Sequence, residues 1–477
     1  MHGADVASQI LVRLQWFILV YFLVVNGFYG LLLVSAVGEM WQYALKVRGE
    51  SRWRILRSRV APKISILVPA HDEARTIGES VLALLTHSYP ALEVVVVDDG
   101  SRDRTMAVLV EKFALVQIHP IFRRRLATRP VRAIYRSRVH QHLVVVQKAN
   151  GGKADALNAA LNVASAELVC AIDADTLLEP DALQRMVRPF LARSDVAAAG
   201  GTIRVANGSR IKWGRVVAPR VPRRALARFQ VVEYLRAFLF GRLGWNRLGG
   251  NLIISGAFGL FSREAVIASG GYASGALAED MELILRLRRH GYETGARRAV
   301  EFIPDPVAWT EVPESLAVLG RQRARWHNGL ADALWRHRSA VLSHRYGALG
   351  LVVLPYFIFV ELFAPIVEAV GLLSIASGLV LGWMDVEFAV LFFLVAYVFG
   401  LILTVFAFVL EEVSFRRYTR MRERLILLAF ACLEPLGFRQ LTVLWRLRGL
   451  LDFLRRHRSW GEMERRGFQV PTEVGAS

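Results

Sequence analysis

The chain has 477 residues, 54% of them apolar against the ~45–50% of an ordinary domain, and a mean hydropathy of +0.35. It also carries 60 Lys and Arg against 41 Asp and Glu, a net +19, with 21% of residues charged. The apolar content excludes a disordered chain, the charge excludes a pure multi-span transporter, and two cysteines, Cys170 and Cys432, exclude a disulfide framework or cysteine zinc site.

The first element is Leu14 to Val37, 24 residues without a charge. At ~1.5 Å per residue it can cross a ~30 Å hydrocarbon core with some tilt. Only Arg13 precedes it, which does not suit a cleaved signal peptide. Lys46, Arg48, Arg52, Arg54, Arg57, Arg59 and Lys63 follow it. That asymmetry puts the N-terminus outside and the next domain in the cytoplasm.

Residues 46–345 read as one cytoplasmic block. Ile64 to Pro69 is a short apolar run ended by proline, which predicts a buried strand. A helical pattern runs from Ala74 to Thr86. Glu93 to Val97 predicts a second strand, with Ser101 or Asp103 as cap of the next helix. Leu143–Val146 and Glu167–Ile172 repeat the theme. Alternation of helices with continuously apolar strands predicts a parallel sheet covered on both faces. Ligands in such sheets bind at the carboxyl ends of strands. Between Ile121 and His140 stand seven arginines and no acid, which reads as a solvated basic loop or helix.

Six clusters fall where a ligand would sit. Pro69-Ala70-His71-Asp72-Glu73 ends the first strand; its acids can bind a nucleoside or serve the helix macrodipole. Asp98-Asp99-Gly100-Ser101 ends the second; an acidic pair there is either ligand-facing or an Asx-turn. Asn150-Gly151-Gly152-Lys153-Ala154-Asp155-Ala156-Leu157-Asn158 opens a helix with a backbone that a phosphate can approach, but its spacing is not that of a Walker A loop. Asp173-Ala174-Asp175 follows a buried strand. Alternation would turn both carboxylates the same way as hard ligands for Mg²⁺ or Mn²⁺. Glu279-Asp280 starts a helical run, as a cap or as a general base. Gln322-Arg323-Ala324-Arg325-Trp326 offers arginine for phosphate and an aromatic face for a sugar, or a basic interfacial helix with a Trp anchor.

Beyond the block, Gly347–Leu381 and the charge-free Phe388–Leu410 complete three spans. Glu361, Pro365 and Glu368 share one helix face in the first of these, where they can line a path or pack against other helices. Leu425–Leu451 is interrupted by Glu434, Pro435, Arg439, Arg446 and Arg448. A basic tail follows, so interfacial or re-entrant helices are expected there rather than a fourth span. The predicted layout is a transmembrane helix over 1–45, the cytoplasmic domain over 46–345, two spans over 346–411 and interfacial helices with a basic tail over 412–477.

The six clusters, in this order, resemble glycosyltransferase family 2 over roughly residues 62–330. Gln-x-x-Arg-Trp and the flanking spans are similar to its processive membrane branch, which makes cellulose, chitin, hyaluronan and poly-N-acetylglucosamine. The resemblance implies an α/β, Rossmann-like GT-A domain, with transmembrane and interfacial α-helices, in the inner or plasma membrane. It implies inverting transfer from a UDP-sugar, pointing to N-acetylglucosamine, onto a growing β-linked polysaccharide. It leaves single addition to a lipid-linked acceptor as the alternative. Carried over by motif, His71, Glu73, Asp98 and Asp99 would contact the nucleoside. Lys153 would hold the diphosphate, Asp173 would face the nucleotide sugar, and Asp175 with Asp173 would hold Mg²⁺ or Mn²⁺. Asp280, beside Glu279, would be the general base. Gln322, Arg325 and Trp326 would border the acceptor end and the diphosphate. Ser255-Gly256-Ala257 departs from the Cys-Gly-Ser of cellulose synthases. No cellulose-type gating motif follows Trp326, and no cyclic-dinucleotide-binding domain is expected. The implied partners are the donor, the polymer, the lipid bilayer and accessory export subunits. A nucleic-acid partner is not expected, because the arginines lie beside apolar spans rather than among stacking aromatics. An inactive transferase-like receptor is disfavoured by intact Asp173, Asp175 and Asp280.

Overall fold

The computed structural model describes residues 2–48, 61–415, 417–418 and 420–457. Arg52, Arg54, Arg57, Arg59, Arg416 and the tail from Arg458 onward lie outside the described residues. The described residues form two compact units: a sheet unit within 42–223 and 251–312, and a helical unit within 2–41, 224–250 and 313–457.

The sheet unit contains twelve strands among the described residues: β1 (Ile64–Ala70), β2 (Leu92–Asp99), β3 (Leu115–Ile118), β4 (Val131–Ser137), β5 (Leu143–Lys148), β6 (Leu168–Ile172), β7 (Leu177–Leu178), β8 (Val196–Val205), β9 (Arg210–Lys212), β10 (Arg215–Ala218), β11 (Phe258–Ser262) and β12 (Ala299–Thr310). Ten of them form one sheet in the order β3-β4-β5-β2-β1-β6-β11-β8-β12-β7; β9 and β10 form a separate hairpin. The expected parallel core is present: β5, β2, β1 and β6 run the same way. Their Ile, Leu and Val side chains are almost wholly buried because helices cover both faces. The sheet is nevertheless mixed. β4, β11 and β7 run against their neighbours. Apolar runs such as Phe258–Phe261 fit either direction, since direction depends on the connection and not on composition. The arginine-rich stretch expected as loop or helix contains β4, in which Arg132 and Arg136 are exposed while Ile134 and Ser137 are buried.

This order brings the carboxyl ends of β1, β2, β5 and β6 to one edge. The residues just beyond those ends are His71, Asp98 to Ser101, Asn150 to Lys153 and Asp173 to Asp175. Helix Lys153–Val163 starts at that edge and packs on β1 and β2. Helix Glu279–Thr294 begins at the same site and ends at Gly295, whose left-handed backbone closes it.

Among the described residues, three helices are long and apolar enough to cross a membrane: Gln9–Lys46, Leu349–Val380 and Met421–Leu454. The stretch expected as the third span is also helical, in the pieces Val386–Phe393, a π-turn at Leu394–Val398, and Phe399–Ser414. Met421–Leu454 is broken at Leu436 and Gly437, whose backbones are not helical. Its halves have 13 and 16 residues, about 20 and 24 Å at ~1.5 Å per residue. Each is shorter than the roughly 30 Å of a bilayer core.

Glu361 and Glu368 lie on one helix, Leu349–Val380, which is irregular at Phe363 just before Pro365. Each glutamate meets an arginine of helix Arg439–Leu454. Arg439 grips Glu368 with two hydrogen bonds of 3.0 and 2.7 Å, and Arg446 lies 3.8 Å from the Glu361 carboxylate. Arg236 makes a similar fork to the buried Glu434, 3.1 Å on both arms. Removing one partner of such a pair strands a charge in apolar surroundings. Arg439→Met should therefore lower the unfolding temperature in detergent. The double variant Arg439→Met/Glu368→Gln should be less destabilised than the sum of its parts.

Candidate active site

The site lies in the sheet unit at the carboxyl edge of β1, β2, β5 and β6. Asp72 adopts φ 55°, unusual for a residue with a side chain. The turn is held by reciprocal bonds. The Asp72 carboxylate accepts from Arg102 N–H (2.7 Å), the Ser101 hydroxyl accepts from Asp72 N–H (3.1 Å), and Asp103 accepts from Ala74 N–H (3.0 Å). The loops after β1 and β2 are thus clasped together, leaving the His71 ring exposed, with Nδ1 3.0 Å from the Asp99 carbonyl. Glu73 faces inward and its carboxylate accepts from the Thr76 hydroxyl (2.8 Å).

Asp98 and Asp99 are both buried, but their surroundings differ. Asp98 accepts from Ser101 N–H at 3.3 Å, and burial raises its pKa above the ordinary carboxylate value. The Asp99 carboxylate is turned toward the loop after β5. There it accepts from Gly151 N–H (3.0 Å), Gly152 N–H (2.7 Å) and the Lys148 ammonium. Gly152 has φ 85° and ψ 170°, a conformation reserved for glycine.

Lys153, the first residue of its helix, reaches Asp173 (2.7 Å) and Glu279 (3.1 Å). Asp280 stands beside this cluster. Its two oxygens accept from Gly256 N–H (2.9 Å) and Met281 N–H (2.8 Å). A methyl group on Gly256 would lie 2.9 Å from Lys153 Nζ and 3.3 Å from Asp280 Oδ2, so only glycine lets these side chains close over the backbone. Burial first, and then the charge of Glu279, raise the Asp280 pKa above the ordinary carboxylate value. For Lys153, burial works against the charged form, but Asp173 and then Glu279 outweigh it and the net shift is upward. Tyr272, Leu157, Ala171 and Phe261 complete the wall of this pocket.

Asp173 and Asp175 are half-buried and lie in a turn just past β6, not within it. Strand alternation therefore does not set their directions; the turn, closed by Thr176 N–H donating to the Asp173 carbonyl (3.0 Å), does. Among the described residues no three His, Cys, Asp or Glu side chains converge as a ready-made metal cage. Mg²⁺ takes one or two carboxylates and completes its shell with water and substrate phosphates. The donor set here is hard oxygen from Asp173 and Asp175.

Gln322, Arg325 and Trp326 belong to the helical unit, on helix Leu316–Arg336. Spacings of three and four put them on one side of it. Trp326 is 44% exposed; the guanidinium of Arg323 sits 4.3 Å from its ring centroid, and Arg323 itself is held by Glu233 at 2.6 Å. One ring face is thus covered by a fixed cation. Gly320 and Gly449 bring this helix against Arg439–Leu454, with Trp445 and the Ala324 carbonyl where their methyls would be.

The structure unites five of the six predicted clusters in two groups. His71 and Asp99 meet Asn150 at one end, with Asp98 beside them; Lys153, Asp173, Glu279 and Asp280 meet at the other. Sequence reasoning missed Gly256 as a contact and Lys148 altogether, and it placed Asp155 in the glycine-rich cluster without giving it a role. A lysine closing an otherwise apolar strand was the available signal for Lys148.

The sheet unit has the GT-A type of fold. The model of "Glycosyl transferase family 2" matches residues 65–268, and that of "Glycosyl transferase family group 2" matches residues 168–409. The second covers more than half of the chain, which therefore belongs to the family 2 group of glycosyltransferases. The chain is 26% identical over 302 residues to the poly-beta-1,6-N-acetyl-D-glucosamine synthase of Staphylococcus epidermidis, covering 63% of each protein. It is 27% identical over 274 residues to the synthase of the same name from Staphylococcus aureus, covering 57% of this chain and 56% of that one. The match thus spans less than two thirds of either relative. A mannosyltransferase from Pyrobaculum calidifontis, solved with GDP-Man and Mn²⁺, shares the fold: TM-score 0.52, 18% identity, 91% of this chain and 100% of that one.

Proposed function

We propose that this protein transfers N-acetylglucosamine from a UDP-sugar to a growing β-linked polysaccharide, with inversion, at the cytoplasmic face of the plasma membrane. The observation that carries the reading is the meeting of Lys153, Asp173, Glu279 and Asp280 around Gly256, in a family of glycosyltransferases. Similarity to two poly-N-acetylglucosamine synthases supports the sugar and the polymer.

The reaction needs a base for the acceptor hydroxyl and countercharge for the departing diphosphate. Asp280 takes the hydroxyl proton while the acceptor oxygen bonds to the anomeric carbon. The bond from that carbon to the diphosphate breaks on the opposite face, and UDP leaves with the electron pair. Glu279 is committed to Lys153, which leaves Asp280 as the base. Asp173 and Asp175 would hold Mg²⁺ or Mn²⁺, which supplies positive charge to the diphosphate when bound. His71 and Asp98 are disposed to meet the nucleoside, with Glu73 and Asp99 behind them. Trp326 offers its free face to a sugar of the acceptor, with Gln322 and Arg325 alongside. The three long apolar helices support a multi-pass anchor, with the catalytic domain over about 46–345 between the first span and the later ones. Accessory export subunits would act at the far side of the bilayer.

The test is a screen of UDP-N-acetylglucosamine, UDP-glucose and UDP-glucuronate with the purified protein in bilayer discs. Products are sized on gels and digested with defined glycosidases. Long chains labelled only from UDP-N-acetylglucosamine are expected. Single-sugar adducts alone would replace the processive reading with addition to a lipid-linked acceptor. Chelation with EDTA should abolish transfer and weaken UDP binding. Mg²⁺ or Mn²⁺ should restore both, and Ca²⁺, which prefers more and longer oxygen contacts, should restore them poorly.

A further inference from the structure

Behind the Gly151-Gly152 turn lies a charged cluster that the proposed chemistry does not use. Lys148 is the last residue of β5 and pairs in register with Asp99, the last residue of β2. Partners in a parallel pair project to the same face, so both side chains sit under the loop that follows. Lys148 has no exposure at all, and Asp99 and Asp155 have only 3% and 6%. An ammonium has three protons to place, and here each has an acceptor: the Asp99 carboxylate, the Asp155 carboxylate at 2.6 Å and the Ala149 carbonyl at 2.7 Å.

The carboxylates spend their remaining capacity on the surrounding backbone. Asp99 accepts from Gly151 and Gly152 N–H. Asp155 accepts from Arg129 N–H at 3.0 Å. Gly151 is pressed so closely on Asp155 that a methyl would lie 2.5 Å from its oxygen. A lysine buried with no apolar purpose, and with every proton assigned, costs desolvation. Its return is geometric. It ties the ends of two strands to the first turn of helix Lys153–Val163, and so fixes the two glycines and Lys153 before any ligand arrives.

We propose that Lys148, acting through Asp99 and Asp155, is a positioning residue that presets the Gly151–Lys153 turn to receive the diphosphate of the sugar nucleotide. The inference rests on the donor-diphosphate role proposed for that turn. It assigns Lys148 no contact with substrate. Its loss acts on donor binding and leaves acceptor binding alone.

The experiment compares wild type, Lys148→Met, the charge-compensated Lys148→Met/Asp155→Asn and the isosteric Asp155→Asn, all full-length in bilayer discs. UDP affinity is measured by calorimetry with Mg²⁺, and donor KM, acceptor KM and kcat by radiolabel transfer. Circular dichroism and the unfolding temperature report folding. The double variant keeps the buried net charge of the wild type, and Asp155→Asn keeps the shape, so folded material is available even where Lys148→Met unfolds. In every folded variant, UDP dissociation constant and donor KM should rise about tenfold or more, the scale of a misplaced binding group. Acceptor KM should stay unchanged and kcat at saturating donor should fall only a few-fold. A folded double variant with wild-type donor KM and UDP affinity overturns the proposal. So does an equal loss in donor and acceptor terms, which marks a purely structural role. Failure of the wild type itself to bind UDP overturns the functional reading instead, and the two failures are thereby distinguished.

Discussion

Asp280→Asn should bind the donor nucleotide nearly as well as the wild type and lose transfer by roughly 10²- to 10⁴-fold, the range of general-base contributions. The substitution keeps volume and removes only the ability to accept a proton. One of the two backbone bonds, from Gly256 or Met281, is weakened because an amide nitrogen cannot accept it. Lys153 and Asp173 are untouched, so UDP affinity measured by calorimetry should survive. Wild-type transfer in this variant would remove Asp280 as the base. The same assignment has a pH consequence. A base works only when deprotonated, and burial with the Glu279 charge raises the Asp280 pKa. Activity should therefore rise with pH through a value above the ordinary carboxylate range. In Glu279→Gln the neighbouring charge is gone, so this acidic limb should move to lower pH while transfer persists at reduced level. A limb that stays in place would show that another group controls it.

Lys153→Met should be the second severe variant, with donor binding and transfer both lost. Asp173, Glu279 and Asp280 gather around this one ammonium. Taking it away leaves three carboxylates facing one another and an incoming diphosphate. Breaking a buried pair by removing one partner costs about 3–5 kcal/mol, and the smaller end applies here because Asp173 is 30% exposed. The stability loss is readable as a lowered unfolding temperature. Any residual activity should have its acidic limb moved to higher pH, opposite to Glu279→Gln, since Lys153 lowers the Asp280 pKa. Lys153→Arg should not rescue fully, because a planar guanidinium cannot reproduce the compact ammonium held between Asp173 and Glu279. A variant that still binds UDP like the wild type would dissociate Lys153 from the diphosphate.

Much of this site could be read along the chain because its residues end strands. Runs such as Glu93–Val97 and Leu168–Ile172 are too uniformly apolar to be anything but buried, so the acids after them had to stand at an edge. What the chain order could not convey was lateral order. β11 and β8 insert beside β6, and that insertion carries Gly256 to Lys153 and Asp280. Nothing near Gly256 in sequence announces those partners. The roles of Asp98 and Asp99 illustrate the same limit. Adjacent and chemically identical, they were assigned together. Their surroundings diverge because successive strand residues face opposite ways, and only one of those ways holds a lysine. In the helical unit, residue offsets identified Glu361 and Glu368 as neighbours, but the arginines that answer them lie some seventy or more residues downstream.

The sheet order has one more consequence. Its outermost strands are β3, with four residues, and β7, with two. Short borders present few unpaired backbone groups for another chain to extend. Many copies can thus crowd side by side in one leaflet without zipping their sheets into a common ribbon.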